Sequence, residues 1–128
     1  MEKRIVNTDK APEPVGPYSQ AVIAGQFVYC SGQIAINPST GEIDDSSIET
    51  ETAQVMDNLK AVLDEAGSSF KNAVKMTIYV RNMNDFGRIN EVYGSYFGDN
   101  PPARATVEVS ALPKGVNVEI DCVAMLEE

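Results

Sequence analysis

The apolar residues of this chain change their spacing repeatedly, and the order of those changes limits the folds open to it. Val55, Met56, Leu59, Val62, Leu63 and Ala66 recur every three or four positions, the pattern of a helix with one buried face. Past Gly67 the period drops to two. Val74, Met76, Ile78 and Val80 alternate with Lys75, Thr77, Tyr79 and Arg81, as in a strand with one apolar side. A second helical stripe covers residues 84–97, made by Phe86, Ile89, Val92, Tyr93, Tyr96 and Phe97 and closed by Gly98. Two further alternating segments begin at Arg104 and Val118. Ahead of the first helix, two β-prone runs flank Gly25-Gln26, which predicts a tight hairpin of residues 21–24 and 27–31. The order hairpin, helix, strand, helix, strand, strand predicts an α+β domain: a mixed sheet with two helices packed on one face. At 128 residues the chain suits a single domain, 1–128, with no repeat or linker.

Local signals refine this outline. Ser46 followed by Glu49 predicts a capping box at the start of the first helix, and Gly67 its stop. Residues 7–17 contain Pro12, Pro14 and Pro17 and predict an extended arm lying on the body. Pro101-Pro102 halt the second helix before strand alternation resumes. Arg104, Thr106 and Glu108 then share one side of a strand, and Ala105, Val107 and Val109 the other. In the last strand Val118, Ile120, Cys122 and Ala124 oppose Glu119 and Asp121. The pattern predicts that Arg104, Thr106, Glu119, Asp121, Val123 and Met125 stand together on the sheet face away from the helices. That face is half apolar, which suggests burial against other subunits. The short Leu112–Val116 loop permits a hairpin between the last two strands.

The chain has no histidine. Ser-His-Asp and Cys-His nucleophilic schemes are therefore excluded, and the commonest metal ligand is missing. Two distant cysteines make no zinc site, so no metal or cofactor is expected. No apolar run approaches a membrane span, and the N-terminus has no apolar signal core. A cytoplasmic protein with Cys30 and Cys122 as buried thiols is the expectation. The net charge of −9, without a Lys/Arg cluster, makes nucleic acid a poor partner.

Chemistry must then run on carboxylates, arginine, tyrosine, hydroxyls and backbone groups. Arg104 suits two parallel hydrogen bonds to a ligand carboxylate, or an internal ion pair with Glu108 or Glu119. Glu119 is the natural proton handler if partly buried, or else a solvated carboxylate. Tyr18, after Gly16-Pro17, suits a phenol over a cleft or an aromatic pinning the arm. Gly32 in Ser31-Gly32 allows close approach to backbone N–H groups, or marks a plain strand end. Asn90 could donate to a ligand or simply face solvent.

These residues resemble the RidA (YjgF-type) family of reactive-intermediate imine deaminases. The resemblance is carried by Pro102-Ala-Arg-Ala-Thr-Val-Glu-Val-Ser-Ala-Leu-Pro-Lys-Gly115 with Val118-Glu119-Ile120. Gly16-Pro-Tyr-Ser-Gln-Ala21, Ser31-Gly-Gln-Ile34 and Asn90-Glu-Val-Tyr93 with Phe97 extend it along the chain. It implies a chorismate-mutase-like fold, a homotrimer with pockets between subunits, and a last strand that does not pair as a simple hairpin. It also implies hydrolysis of 2-imino acids or enamines, such as 2-aminoacrylate and 2-iminobutanoate released by PLP-dependent serine and threonine dehydratases, to 2-oxo acids and ammonia. The alternative is a non-catalytic regulatory or chaperone-like protein that binds 2-oxo acids in the same pocket. By position, Arg104 matches the carboxylate-binding arginine and Glu119 the water-activating glutamate, with Tyr18 beside it. Ser31, Gly32 and Asn90 match pocket positions. Thr106 also falls in the pocket and departs from the cysteine of many members, so thiol chemistry there is not expected.

Overall fold

A computed structural model describes residues 2–128. Its eight main elements are β1 (Lys3–Val6), β2 (Ala21–Ala24), β3 (Phe27–Gln33), α1 (Ile48–Ala66), β4 (Ala73–Val80), α2 (Phe86–Gly94), β5 (Ala103–Glu108) and β6 (Val118–Met125). The six strands form one sheet in the order β1-β2-β3-β6-β4-β5. Only β4 and β5 run parallel. The α+β class, the mixed sheet and the β2–β3 hairpin agree with the pattern in the sequence.

Both helices lie over one side of the sheet. On that side Val55, Met56, Leu59, Val62 and Leu63 of α1 meet Val28, Met76, Ile78, Val118, Ile120 and Cys122 of the strands, all buried. Cys30 and Cys122 face each other across the β3–β6 register as free, buried thiols. Their mutual hydrogen bond, with burial, holds the Cys30 thiol far above its ordinary pKa. The other side of the sheet is open and carries Ile5, Phe27, Tyr29, Val107 and Met125, all exposed. Among the described residues no helix is long and apolar enough to cross a membrane.

Three expectations change and a fourth is met. Residues 3–6 form a strand pairing with β2, which the short, charged N-terminal run did not suggest. The first helix is capped by Ser47, whose Oγ accepts from the Thr50 N–H at 3.0 Å. Glu49 takes no part in a capping box and instead holds Arg88 at 2.9 and 2.7 Å. The second helix ends at Gly94, three residues early. There the Ser95 hydroxyl donates to the Val92 carbonyl at 2.6 Å, competing with the helical ladder, and Gly94 adds a poor helix former. The last two strands make no hairpin, as the resemblance implied and although the loop length would permit one. Lys114 and Gly115 both take positive φ (57° and 70°), turning the chain so that β6 inserts between β3 and β4 while β5 remains at the edge.

The largest change concerns β5. Its register sets Arg104 beside Met76 and Thr106 beside Ile78. Met76 and Ile78 belong to the helix-covered side, so Arg104, Thr106 and Glu108 belong there too. Ala105 and Val107 turn to the open face, where Val107 is 41% exposed. Alternation identified the two sides of the strand correctly but not which of them meets the helices. An edge strand need not bury its apolar side.

Candidate active site

Glu119 is the second residue of β6 and pairs with Tyr79 of β4. Its side chain points to the open face, into a cleft of about 340 Å³. The arm lines one wall with Pro12, Val15 and Tyr18. The end of β3 lines another with Ser31 and Gly32, and Ile34, Ile36 and Pro113 close the floor. The carboxyl rests directly on Gly32. A Cβ at that glycine would lie 2.9 Å from Cδ and 3.1 Å from Cγ of Glu119, so the missing side chain makes the seat for the acid. Burial raises the Glu119 pKa above its ordinary value, and the Asp121 charge raises it further. Asp121 in turn accepts the Tyr79 hydroxyl at 3.1 Å.

Tyr18 and Ser31 are held by their own segment. The Tyr18 hydroxyl accepts from the Val15 N–H at 3.3 Å, which places the ring at the mouth of the cleft. The Ser31 hydroxyl donates to the Ser19 carbonyl at 2.6 Å, and the Ser31 N–H to the Gln20 carbonyl at 3.0 Å. Both Ser31 donors are thereby committed. Gly32 lies within the irregularity of the β3–β6 register between Cys30 and Gln33.

Arg104 stands elsewhere. On the helix-covered side of β5 its Nη1 donates to Asn90 Oδ1 of α2 at 2.6 Å. Its guanidinium lies 5.2 Å from the Phe86 ring centre and 5.1 Å from that of Tyr93, a cation–π arrangement. Neither Glu108 nor Glu119 pairs with it. Glu108 accepts the Met83 N–H, and among the described residues Arg104 belongs to no ion pair. Beside it, the buried Tyr93 hydroxyl and the Thr106 hydroxyl have no hydrogen-bond partner among the described residues. Burial raises the Tyr93 pKa, while the Arg104 charge pulls against it.

The residues singled out in the sequence thus form two groups. Tyr18, Ser31, Gly32 and Glu119 share the cleft; Arg104, Asn90 and Thr106 gather between β5 and α2. The expected common face for Arg104 and Glu119 is corrected: the sheet stands between them. Three scaffold residues are not among the site candidates of the sequence. Gln20 is buried, accepts the Thr8 N–H at 2.7 Å and donates to the Thr8 and Pro12 carbonyls at 3.0 and 2.9 Å, stapling the arm. Asn58 donates to the Ile34 and Ile36 carbonyls. Glu51 accepts from Asn117 and Val118. Polar residues at positions 51 and 58, seven apart and in line with an apolar helix stripe, were the available signal. Among the described residues no three His, Cys, Asp or Glu side chains are grouped to hold a metal ion.

Fold and geometry together define a small α+β protein with a carboxyl cleft and an arginine site on opposite sides of one sheet. The family description Endoribonuclease L-PSP matches residues 8–126. A RutC family protein of Pyrococcus abyssi is 50% identical over 127 residues, 99% of this chain and 100% of that protein. The human 2-iminobutanoate/2-iminopropanoate deaminase is 44% identical over 123 residues, 96% of this chain and 90% of that protein. The crystal structure of E. coli TdcF with bound serine superposes with a TM-score of 0.93 at 38% identity, covering 97% of this chain and 99% of that one. The chain belongs to the Endoribonuclease L-PSP family, the YjgF/RidA family that its motifs resemble.

Proposed function

We propose that this protein hydrolyses reactive 2-imino acids and their enamine tautomers to 2-oxo acids and ammonia, in sites shared between copies of the chain. The observation that carries this reading is the state of Arg104. Its guanidinium is oriented by Asn90 and two aromatic rings but, among the described residues, neutralised by no carboxylate. Such a fork is ready for a ligand carboxylate, at about 1.5–3 kcal/mol for each charge-assisted bond. The name of the human relative and the serine bound to TdcF favour a small amino-acid-like ligand.

Since the sheet separates Arg104 from Glu119, the arginine that completes a given cleft comes from a neighbouring copy. Two different patches then meet, a head-to-tail contact that closes as a ring. The exposed Ile5, Phe27, Tyr29, Val107 and Met125 of the open face are the surface such a ring would cover. A homotrimer is the assembly we assign.

With the carboxylate held, and the Gly32 backbone beside it, the imine carbon is fixed for attack. Glu119, near Tyr18, takes a proton from water as the oxygen bonds to C2 and the C=N π pair moves to nitrogen. The acid returns that proton to the nitrogen, giving a neutral carbinolamine; the carboxylate then passes the hydroxyl proton to the amino group, the C–N bond breaks, and ammonia leaves as the 2-oxo acid forms. An enamine first accepts a proton at C3. General acid–base help of this kind contributes about 10²–10⁴ in rate. PLP-dependent serine and threonine dehydratases would supply such substrates in the same cytoplasm. RNA cleavage is disfavoured by the charge of −9 and the absence of histidine.

Subunit complementation tests the reading. Arg104→Ala and Glu119→Gln chains, each inactive alone in a dehydratase-coupled ammonia assay, are mixed and reassembled. About a quarter of the junctions in a random ring then pair an intact arginine with an intact glutamate, and activity returns. No recovery in verified mixed rings rejects the shared site. A wild-type protein that binds 2-oxo acids but releases no ammonia from the imine rejects the deaminase.

A further inference from the structure

Glu51 lies in the first turn of α1, is fully buried, and meets no cation among the described residues. Burying a lone carboxylate is costly unless its oxygens are well bonded. Here the partners come from one place, the start of β6. Oε2 accepts the Asn117 N–H at 2.8 Å and the Val118 N–H at 3.1 Å, and Oε1 accepts Asn117 Nδ2 at 2.8 Å. The next residue is Glu119. The Asn117 carbonyl accepts the Arg81 N–H at 3.0 Å, so the strand start is tied both to α1 and to the end of β4. Seven residues along α1, Asn58 Nδ2 donates to the Ile34 and Ile36 carbonyls at 3.1 and 2.9 Å. One helix thus holds two walls of the cleft through two polar side chains. An apolar anchor could stabilise the fold equally well, but it would not fix the direction of a backbone N–H.

We propose that Glu51 is a positioning residue: by gripping the Asn117 and Val118 amides it sets where β6 begins and so seats the Glu119 carboxyl on Gly32. It touches neither cleft nor ligand, because it works from the helix-covered side of the sheet through the backbone. The inference rests on the proposed deaminase only in taking Glu119 as the proton-handling group. The groups facing Glu119 are Asp121 of β6, Tyr79 of β4, and Tyr18 and Glu13 from the arm. None belongs to α1, so a change at Glu51 reaches Glu119 only by moving β6.

Two readouts on the full-length protein decide the matter: steady-state imine hydrolysis, and the titration midpoint of the Glu119 carboxyl by carbon-13 NMR. Glu51→Ala should lower kcat by about tenfold to a hundredfold, the scale of a small misplacement. KM should stay within about threefold, because the arginine site is intact. The Glu119 midpoint should fall towards the ordinary 4.5 as the loosened strand exposes the carboxyl. Glu51→Gln should keep both readouts near wild type. Its amide oxygen can accept both backbone N–H groups, while the Asn117 amide turns over to present oxygen to the new Nε2. Unchanged readouts in Glu51→Ala overturn the proposal. So does an equal loss of kcat in both variants with the Glu119 midpoint unmoved, since that pattern marks general weakening. If Glu51→Ala does not fold, Asn117→Ala decides. It removes only the Oε1 bond, so a smaller shift in the same direction supports the proposal and wild-type values overturn it. Should the wild type hydrolyse no imine, the deaminase reading fails alone and the NMR midpoint still decides the positioning role.

Discussion

The carboxyl cleft and the arginine site differ in how their polar groups are committed. In the cleft the polar groups of the walls around Glu119 are already bonded. Both Ser31 donors, the Gln20 amide and the Tyr18 hydroxyl are engaged within the chain, and the Glu119 carboxyl is wedged against Gly32. Around Arg104 the reverse holds. Among the described residues the cation has no anion, and the hydroxyls of Tyr93 and Thr106 have no partner. A committed wall fixes geometry, whereas uncommitted groups gain partners when a ligand or a neighbouring chain arrives. Under the proposed function, this contrast would put chemistry in the first region and most of the binding free energy in the second.

The contrast breaks most visibly at Arg104. Replacing it by alanine should lower kcat/KM for a carboxylate-bearing imine by about a hundredfold or more, from the loss of two charge-assisted bonds. Thermal stability should change little, because the residue is exposed. Arg104→Lys should recover only part of the activity, since the ammonium lacks the planar fork. Activity of the alanine variant within a few fold of wild type would move ligand binding away from β5.

Gly32→Ala probes the other region. The added methyl must displace the Glu119 carboxyl, so kcat should fall about tenfold to a hundredfold, with KM less affected. Full activity in that variant would show that the seat on Gly32 is not needed. Thr106→Val should have a smaller effect. It removes a buried hydroxyl without a hydrogen-bond partner among the described residues, so stability should hold or rise by up to about 1 kcal/mol. Any rise in KM then measures what the hydroxyl gives the ligand. A clear loss of stability would mean that it already has a partner in the assembled protein.

The sequence exposed these regions unequally. Period-two and period-3.6 patterns located both helices, the β2–β3 hairpin, and the core sides of β4 and β6. Those signals come from residues whose burial is nearly complete, such as Met76, Ile78 and Ile120. Alternation could not tell which side of β5 meets the helices, because that depends on register with β4, a pairing between residues about thirty positions apart. Nor could it separate Arg104 from Glu119. The scaffold of the cleft was hidden for another reason: Glu51, Asn58 and Gln20 are polar residues at buried positions, and a search for apolar stripes passes over them. The family resemblance named candidate residues by position and left their division between two sides of the sheet to the structure.

The smallest effect tests the electrostatics of the cleft alone. Glu119 has its pKa raised first by burial and second by Asp121. A carboxyl raised in the folded state binds its proton more tightly folded than unfolded. Its contribution to stability is therefore full below the ordinary 4.5 and is lost as pH rises through the folded value. Glu119→Gln cannot ionise, so it should be more stable than wild type at neutral pH while losing activity, and the stability gap should close in acid. Asp121→Asn removes only the second cause and keeps an oxygen for the Tyr79 hydroxyl. Its acid limb in kcat/KM should move to lower pH without disappearing, since the base then ionises more easily. An acid limb that stays put while the NMR midpoint of Glu119 falls would identify another group as the base. The cleft would then keep Glu119 as the residue that orients water, with the proton carried elsewhere.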